Sequence, residues 1–234
     1  MSSASRPLAD RTLVVSGGSR GIGLAIALGA ARQGANVVLL AKTAEPHPKL
    51  PGTVYTAVAD VEAVGAKGVA VVGDVRKEED VQRAIDTAVQ TFGGVDIVIN
   101  NAGIAFTGAV ERSSYKDIAR VMDVDYWGVV HGTKEFLPHL IASGEGHIVN
   151  VSSLFGLVSM PGQSMYNASK YAVRGMSEAI RELFRAAEKE GDLAHRHDGA
   201  EDVARIPAER ADRRQGDEGG RGRRTGESRE GCAD

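Results

Sequence analysis

The chain has 234 residues, and 42% of them are hydrophobic, which is enough for one domain with a sizeable core. Its formal charge of −3 gives no electrostatic reason to expect nucleic acid or an anionic membrane as a partner. A single cysteine, Cys232, excludes an intramolecular disulfide, and the scattered histidines indicate no metal site. Since no apolar signal core or membrane-length run is present, we expect a cytoplasmic protein that acts on a small molecule.

Short aliphatic runs alternate with segments of helical spacing along the chain. Such alternation predicts an α/β fold, a doubly wound parallel sheet covered by helices on both faces. The predicted strands are "TLVVSGG", "NVVLLA", "GVAVVGD", "VDIVINN" and "GHIVNVSS". The predicted helices span 22–33, 54–64, 78–92, 114–142 and 166–189.

The composition changes abruptly near Gly191. Residues 191–234 contain nine Arg and eleven Asp or Glu, but no Lys and no aromatic residue. With so few apolar side chains, the burial of apolar surface cannot offset the entropy of ordering the segment. We therefore predict a domain over 1–190 and a disordered charged tail over 191–234. Arg without Lys beside many Gly and Ala residues is also typical of GC-rich DNA translated out of frame. A frameshifted or replaced C-terminus is therefore a hypothesis, and the domain would then lack its last strands.

A glycine-rich turn, "SGGSRGIG" from Ser16 to Gly23, joins the first strand to the first helix. A turn of this kind presents backbone N–H groups and the positive end of the helix dipole to a phosphate, which indicates dinucleotide binding. The spacing Gly-x-x-x-Gly-x-Gly resembles the cofactor loop of the short-chain dehydrogenase/reductase family, with Ser16 where a Thr is usual. The resemblance implies a Rossmann-type fold.

Charge indicates which nicotinamide cofactor the chain would hold. The second strand ends in "LLAKTAE", with Lys42 and no acid before Glu45, whereas an NAD enzyme would be expected to carry an acid there. Arg20 supplies a second cation inside the glycine loop. We therefore predict NADP, with NAD as the alternative.

The same family resemblance extends to the ends of the third and fourth strands. Asp74 in "VVGDV" stands where the family places an Asp beside the adenine, and "NNAG" over Asn100–Gly103 matches a motif that lines the adenosine half of the site. Ligands of open α/β sheets bind at such strand ends. The cofactor-binding residues that we predict are Ser16, Gly17, Gly18, Ser19, Arg20, Gly21, Ile22, Gly23, Lys42, Asp74, Val75, Asn101, Ala102, Gly103, Tyr166 and Lys170.

A Ser thirteen residues before a Tyr-x-x-x-Lys motif is the family's catalytic spacing, and it implies roles for Ser153, Tyr166 and Lys170. The chemistry is consistent with this assignment, since oxidising a carbinol requires a group that takes its proton, and a Lys ammonium one turn away favours a Tyr phenolate. Ser153 would hydrogen-bond the substrate oxygen. Asp125, in "MDVDYWGVV", stands where the family commonly has an Asn, and we include it as a candidate catalytic residue that accepts from water or pairs with Lys170.

The resemblance covers residues 8–185, and two parts of it point to different branches. Residues 40–60 look like hydroxysteroid dehydrogenase-like 2 proteins, whereas residues 100–180 look like ordinary bacterial members. Apolar side chains near the motifs favour an apolar alcohol or ketone as substrate: Ile104, Phe106, Leu154, Phe155 and Met160. Relatives form dimers and tetramers, which implies a homodimer or homotetramer. No Pro-Gly follows Lys170, so the alternative is a truncated family member that holds cofactor or assembles without turnover.

Overall fold

The computed structural model describes residues 7–189 and 203–207, with side chains for residues 7–185. Five parallel strands lie in the order β3-β2-β1-β4-β5, as predicted for a doubly wound sheet. Their bounds are β1 Thr12–Ser16, β2 Asn36–Ala41, β3 Gly68–Val72, β4 Ile97–Asn100 and β5 Glu145–Asn150. The reversal of strand order between β1 and β4 opens a crevice at their carboxyl ends, where ligands bind in such sheets.

In the described part of the chain, six α-helices connect and cover the strands. They are α1 Gly21–Arg32, α2 Val54–Ala63, α3 Glu78–Phe92, α4 Tyr115–Met122, α5 Gly128–Ala142 and α6 Ser164–Lys189. Local sequence explains several of their ends: a capping box between Thr53 and Thr56 begins α2, and left-handed Gly93 ends α3. α1 and α2 bury small and branched side chains on one face of the sheet, while α3, α5 and α6 cover the other.

The predicted helix over 114–142 is helical from Tyr115 to Ala142, but it is not α-helical throughout. The structure divides it into α4, a π-helical segment over Asp123–Trp127, and α5. The wider turn directs two adjacent side chains inward, and Val124 and Asp125 are both buried. π-helical turns of this kind are common at functional sites.

A sixth strand, β6 Val203–Pro207, pairs antiparallel with β5. This differs from the expectation that residues 191–234 are disordered throughout. The physical reason is that the free edge of β5 presents unpaired N–H and C=O groups, which an extended segment can satisfy whatever its side chains are. The rest of the tail, 191–202 and 208–234, lies outside the described residues, so disorder there stays a prediction.

Candidate active site

The glycine-rich turn lies at the carboxyl end of β1 and leads directly into α1. Gly17 has φ +67°, and a Cβ there would lie 2.9 Å from the Cα of Ala102, so the turn needs glycine for both conformation and space. Gly21 has φ +59°, and a Cβ there would meet no described atom within 4 Å. The backbone of the first helical turn is therefore open on that side.

Ser16 ties this turn to the loop after β4. Its buried hydroxyl accepts hydrogen bonds from the backbone N–H of Asn101 at 3.0 Å and of Ala102 at 3.1 Å. The side-chain amide of Asn101 also donates to the carbonyl of Ser16 at 2.9 Å. The two loops predicted to bind the cofactor are thus fixed to each other, and sequence reasoning had not identified this role of Ser16.

The two cations predicted for NADP have different surroundings. The Arg20 guanidinium donates to the carbonyls of Leu50 and Gly52 at 3.1 and 3.0 Å, so it holds the loop that follows β2. Lys42 follows β2 directly, and 60% of its side chain is exposed. Its ammonium lies 3.4 Å from Asp74. Lys42 is therefore the more accessible cation at this strand end.

Asp74 is held by a clamp that the sequence interpretation missed. The Nε of Arg76 donates to both carboxylate oxygens at 3.0 Å, and a terminal nitrogen of the same guanidinium donates to Oδ2 at 2.6 Å. Burial alone would raise the pKa of Asp74, but the Arg76 hydrogen bonds and the charge of Lys42 outweigh it and lower the pKa to about 2. Val75, the next residue, is buried where α5 begins at Gly128. An Arg two residues after a strand-end Asp is the signal that could have revealed the clamp.

The other predicted cofactor residues lie around the same crevice. Ser19 is buried, Ile22 is 67% exposed at the start of α1, and Gly18 and Gly23 pack closely on β2 and on the turn itself. Gly103 borders both halves of the site, because a Cβ there would lie 3.4 Å from the Lys170 ammonium and 3.5 Å from Asp125. The loop after β4 therefore connects the cofactor turn to the catalytic candidates.

Lys170 lies on α6 and is nearly fully buried. Its ammonium donates to the carbonyl of Val151 at 3.2 Å, lies 3.7 Å from Oδ2 of Asp125, and lies 5.6 Å from the centre of the Tyr166 ring. Burial lowers the pKa of Lys170, and the negative charge of Asp125 opposes this effect. The structure thus brings Lys170, Tyr166 and Asp125 together.

Asp125 is completely buried in the π-helical segment. One oxygen accepts the backbone N–H of Ile104 at 2.7 Å, and the other faces Lys170. Burial raises the pKa of Asp125 against the opposing effects of the Ile104 N–H and the Lys170 charge. The backbone contacts from Ile104 and Val151 could not be predicted from the sequence, since any residue type supplies them.

The two serines after β5 have separate tasks. The Ser152 hydroxyl donates to the Lys170 carbonyl at 2.9 Å, which attaches α6 to the strand end. Ser153 accepts the N–H of Phe155 at 3.2 Å, and no side chain or carbonyl in the described part of the chain accepts from its hydroxyl. The Phe155 ring meets the Tyr166 ring edge-on, with centroids 6.3 Å apart. Ser153, rather than Ser152, therefore has a hydroxyl hydrogen that no described group accepts.

Exposed apolar side chains border this end of the sheet. Leu154 and Met160 are 65% and 45% exposed. A groove of about 790 Å³ includes Ser153 and Leu154, but the rest of its lining runs along β5 and α6 and does not include Tyr166 or Lys170. Within 7–189 and 203–207, no group of His, Cys, Asp or Glu is arranged to hold a metal, and no helix is long and apolar enough to cross a membrane. The arrangement supports proton transfer beside a partly apolar surface.

Two relatives show which proteins this chain is similar to. The chain is 49% identical over 172 residues to a Mycobacterium tuberculosis protein named SadH, and the match covers 74% of this chain and 60% of SadH. It is 42% identical over 190 residues to human hydroxysteroid dehydrogenase-like protein 2, with 80% of this chain and 44% of that protein covered. The chain therefore spans about 60% or less of the curated relatives it matches.

A solved structure shows the same fold. The crystal structure of a short chain dehydrogenase/reductase from Burkholderia phymatum in complex with NAD matches with a TM-score of 0.71 and 35% sequence identity. The match covers 77% of this chain and 62% of that one. Residues 11–188 also match the sequence profile of the short chain dehydrogenases. The chain therefore belongs to the short chain dehydrogenase family.

Proposed function

We infer that this chain is an NADP-dependent oxidoreductase that interconverts an apolar alcohol and its ketone, with NAD as the alternative cofactor. The observation that carries this inference is the buried Lys170 ammonium beside the Tyr166 ring, at the strand ends where the glycine turn also lies. A buried Lys beside a Tyr suits proton transfer, because its charge favours the phenolate. Family membership supports an oxidoreductase, and the relative from Burkholderia phymatum was solved with NAD.

The residues around the crevice fit a dinucleotide. The side of Gly21 where a Cβ would project is open, and the turn precedes a helix N-terminus, so backbone N–H groups would face a pyrophosphate there. Lys42 would face the phosphate on the ribose, and the loop over Asn101–Gly103 would line the remaining part of the site. The bound nicotinamide would supply or accept the hydride of the reaction.

The chain's own residues would handle the proton and the substrate oxygen. Tyr166 would give its hydroxyl proton to the ketone oxygen in reduction and take it from the alcohol in oxidation. Lys170 would favour the ionised Tyr, and Ser153 would donate its hydroxyl hydrogen to the same substrate oxygen. Asp125 would act on this group through Lys170.

The activity is tested by NADPH oxidation with a panel of apolar ketones, alongside Tyr166→Phe. We expect turnover by the parent and a loss of at least a hundredfold in the variant, in line with the usual contribution of a general acid. The exposed Tyr171 provides a matched control on α6, since Tyr171→Phe removes the same hydroxyl from a residue outside the proposed chemistry. Cofactor binding without any turnover would instead favour the truncated, inactive alternative.

Cofactor preference is tested by fluorescence titration of NADPH and NADH against Lys42→Ala. Loss of a charged hydrogen bond to a phosphate predicts NADPH binding weakened about tenfold, with NADH binding little changed. Lys49→Ala is the control, because Lys49 is another exposed cation in the loop after β2. Equal losses for both cofactors would contradict the assignment to NADP.

Sedimentation velocity would test the proposed homodimer or homotetramer, whose interface would include exposed apolar residues such as Trp127.

A further inference from the structure

The loop over 43–53, which joins β2 to α2, lies against the glycine-rich turn. Its tip, residues 45–51, is exposed, so little burial of apolar surface holds it in place. Gly52 approaches the turn closely: a Cβ there would lie 3.0 Å from the carbonyl oxygen of Ser19, and the φ of +90° also favours glycine. The loop therefore borders the crevice on the side of β2.

A single side chain joins this loop to the turn by hydrogen bonds. One terminal nitrogen of the Arg20 guanidinium donates to the carbonyl oxygen of Leu50 at 3.1 Å, and the other donates to that of Gly52 at 3.0 Å. Among the described residues, no other hydrogen bond connects 43–53 with the turn over 16–23. The planar fork of an arginine reaches two carbonyls at once, whereas a lysine ammonium acts as a single point charge.

The loop also has hydrogen bonds of its own. The N–H of Leu50 donates to the carbonyl of His47 at 3.3 Å, and the N–H of Lys49 donates to Nδ1 of the same histidine at 3.1 Å. Where α2 begins, the N–H of Val54 donates to the carbonyl of Thr43 at 2.8 Å. The loop is therefore locally ordered, and its position on the glycine turn depends on the guanidinium contacts.

These contacts bear on how each cation would act on a dinucleotide. Both terminal nitrogens of Arg20 already donate to carbonyls, so a phosphate on the ribose would have to compete with them. The Lys42 side chain is 60% exposed, and its ammonium lies 3.4 Å from Asp74. Lys42 is therefore the better placed of the two cations to distinguish a phosphorylated ribose from a plain one.

We propose that Arg20 is a positioning residue that fixes the loop over 43–53 as a wall of the dinucleotide site, and thereby strengthens the binding of NADPH and NADH equally. The effect on binding rests on the proposed function, whereas the fastening of the loop does not. Without the two hydrogen bonds, the loop would be held mainly at its ends. Its amides should then exchange faster, and both cofactors should lose the same wall.

Hydrogen exchange of the full chain without cofactor tests the fastening. Arg20→Lys keeps the charge but loses the fork, so the amides of 43–53 should exchange at least tenfold faster, while those of β3 stay unchanged. Arg32→Lys is the matched control, because it makes the same change in the exposed last turn of α1. Unchanged loop exchange in Arg20→Lys, or an equal change in the control, would overturn the inference.

Fluorescence titration with NADPH and NADH separates positioning from charge. With Arg20→Lys we expect both Kd values to rise about tenfold with their ratio kept, and KM for either cofactor to rise while kcat is unchanged. Gly52→Ala displaces the same loop without changing a charge and should give the same pattern, which also covers the case in which Arg20→Lys does not fold.

The opposite outcomes are equally distinct. A loss confined to NADPH, or undiminished affinity for both cofactors in Arg20→Lys, would show that Arg20 acts as a phosphate-binding cation or not at all, and would overturn the inference. A parent that binds neither cofactor would sink the proposed function together with the effect on binding. Faster loop exchange in Arg20→Lys would in that case still establish that Arg20 positions the loop.

Discussion

Asp74→Asn should remove a pH-dependent part of the stability of the fold. The Asp74 side chain is 12% exposed, and Arg76 and Lys42 lower its pKa from the ordinary 3.8 to about 2. A carboxyl with a lowered folded-state pKa stabilises the protein above its unfolded-state pKa, and this contribution disappears as pH falls through the folded-state value. The difference corresponds to about 2 kcal/mol, of which about half should be lost by pH 3.

Urea unfolding of the parent and of Asp74→Asn between pH 7 and pH 3 measures this contribution. We expect the gap in the free energy of unfolding to shrink by about 1 kcal/mol over that range. Asp60→Asn removes the same charge from the exposed surface of α2 and should show a gap near zero throughout. A gap for Asp74→Asn that stays constant with pH would refute the view that Arg76 and Lys42 stabilise the ionised carboxylate.

Other substitutions test the packing that positions the site. Ser16→Ala should cost about 1–3 kcal/mol in urea unfolding and weaken NADPH binding, because two backbone N–H groups lose their acceptor, whereas Ser16→Thr should keep both properties. Gly132→Ala should lower the melting temperature, since its methyl would overlap the Asn100 amide, while Gly29→Ala, with open space around it on α1, should raise stability by up to about 1 kcal/mol. Thr53→Ala should cost about 1 kcal/mol in the same unfolding assay through loss of the α2 cap, and a change below 0.3 kcal/mol would contradict that role.

The order of elements could be predicted because each strand carries a continuous aliphatic run and ends in Gly, Asn, Asp or Ser. The predicted bounds of α3, Glu78–Phe92, agree with the structure because three acids begin the helix and Gly93 ends it. The π-helical segment could not be predicted, because its sequence keeps an ordinary helical pattern of apolar residues. β6 could not be predicted because the segment around it has few apolar residues. Its pairing depends on the free edge of β5 rather than on its own composition.

The candidate site shows a similar division. Spacing alone predicted that Tyr166 and Lys170 share a face of α6, and the structure places the ammonium beside the ring. Arg20 illustrates the limit, because its charge suggested a phosphate ligand while its guanidinium holds backbone carbonyls of the loop after β2. A sequence specifies which groups are charged, but their partners depend on loops that approach from distant parts of the chain.

The loop after β4 links the two halves of the site by donating its backbone N–H groups to a hydroxyl on one side and to a carboxylate on the other. On one side, the Ser16 hydroxyl accepts the N–H groups at Asn101 and Ala102. On the other side, the Asp125 carboxylate accepts the N–H of Ile104 and attracts Lys170. A neutral acceptor thus fixes the side that we propose binds the cofactor, whereas a charged one fixes the side that we propose is catalytic. Because Gly103 between them lies close to both Lys170 and Asp125, any movement of this loop would change both halves of the proposed site together.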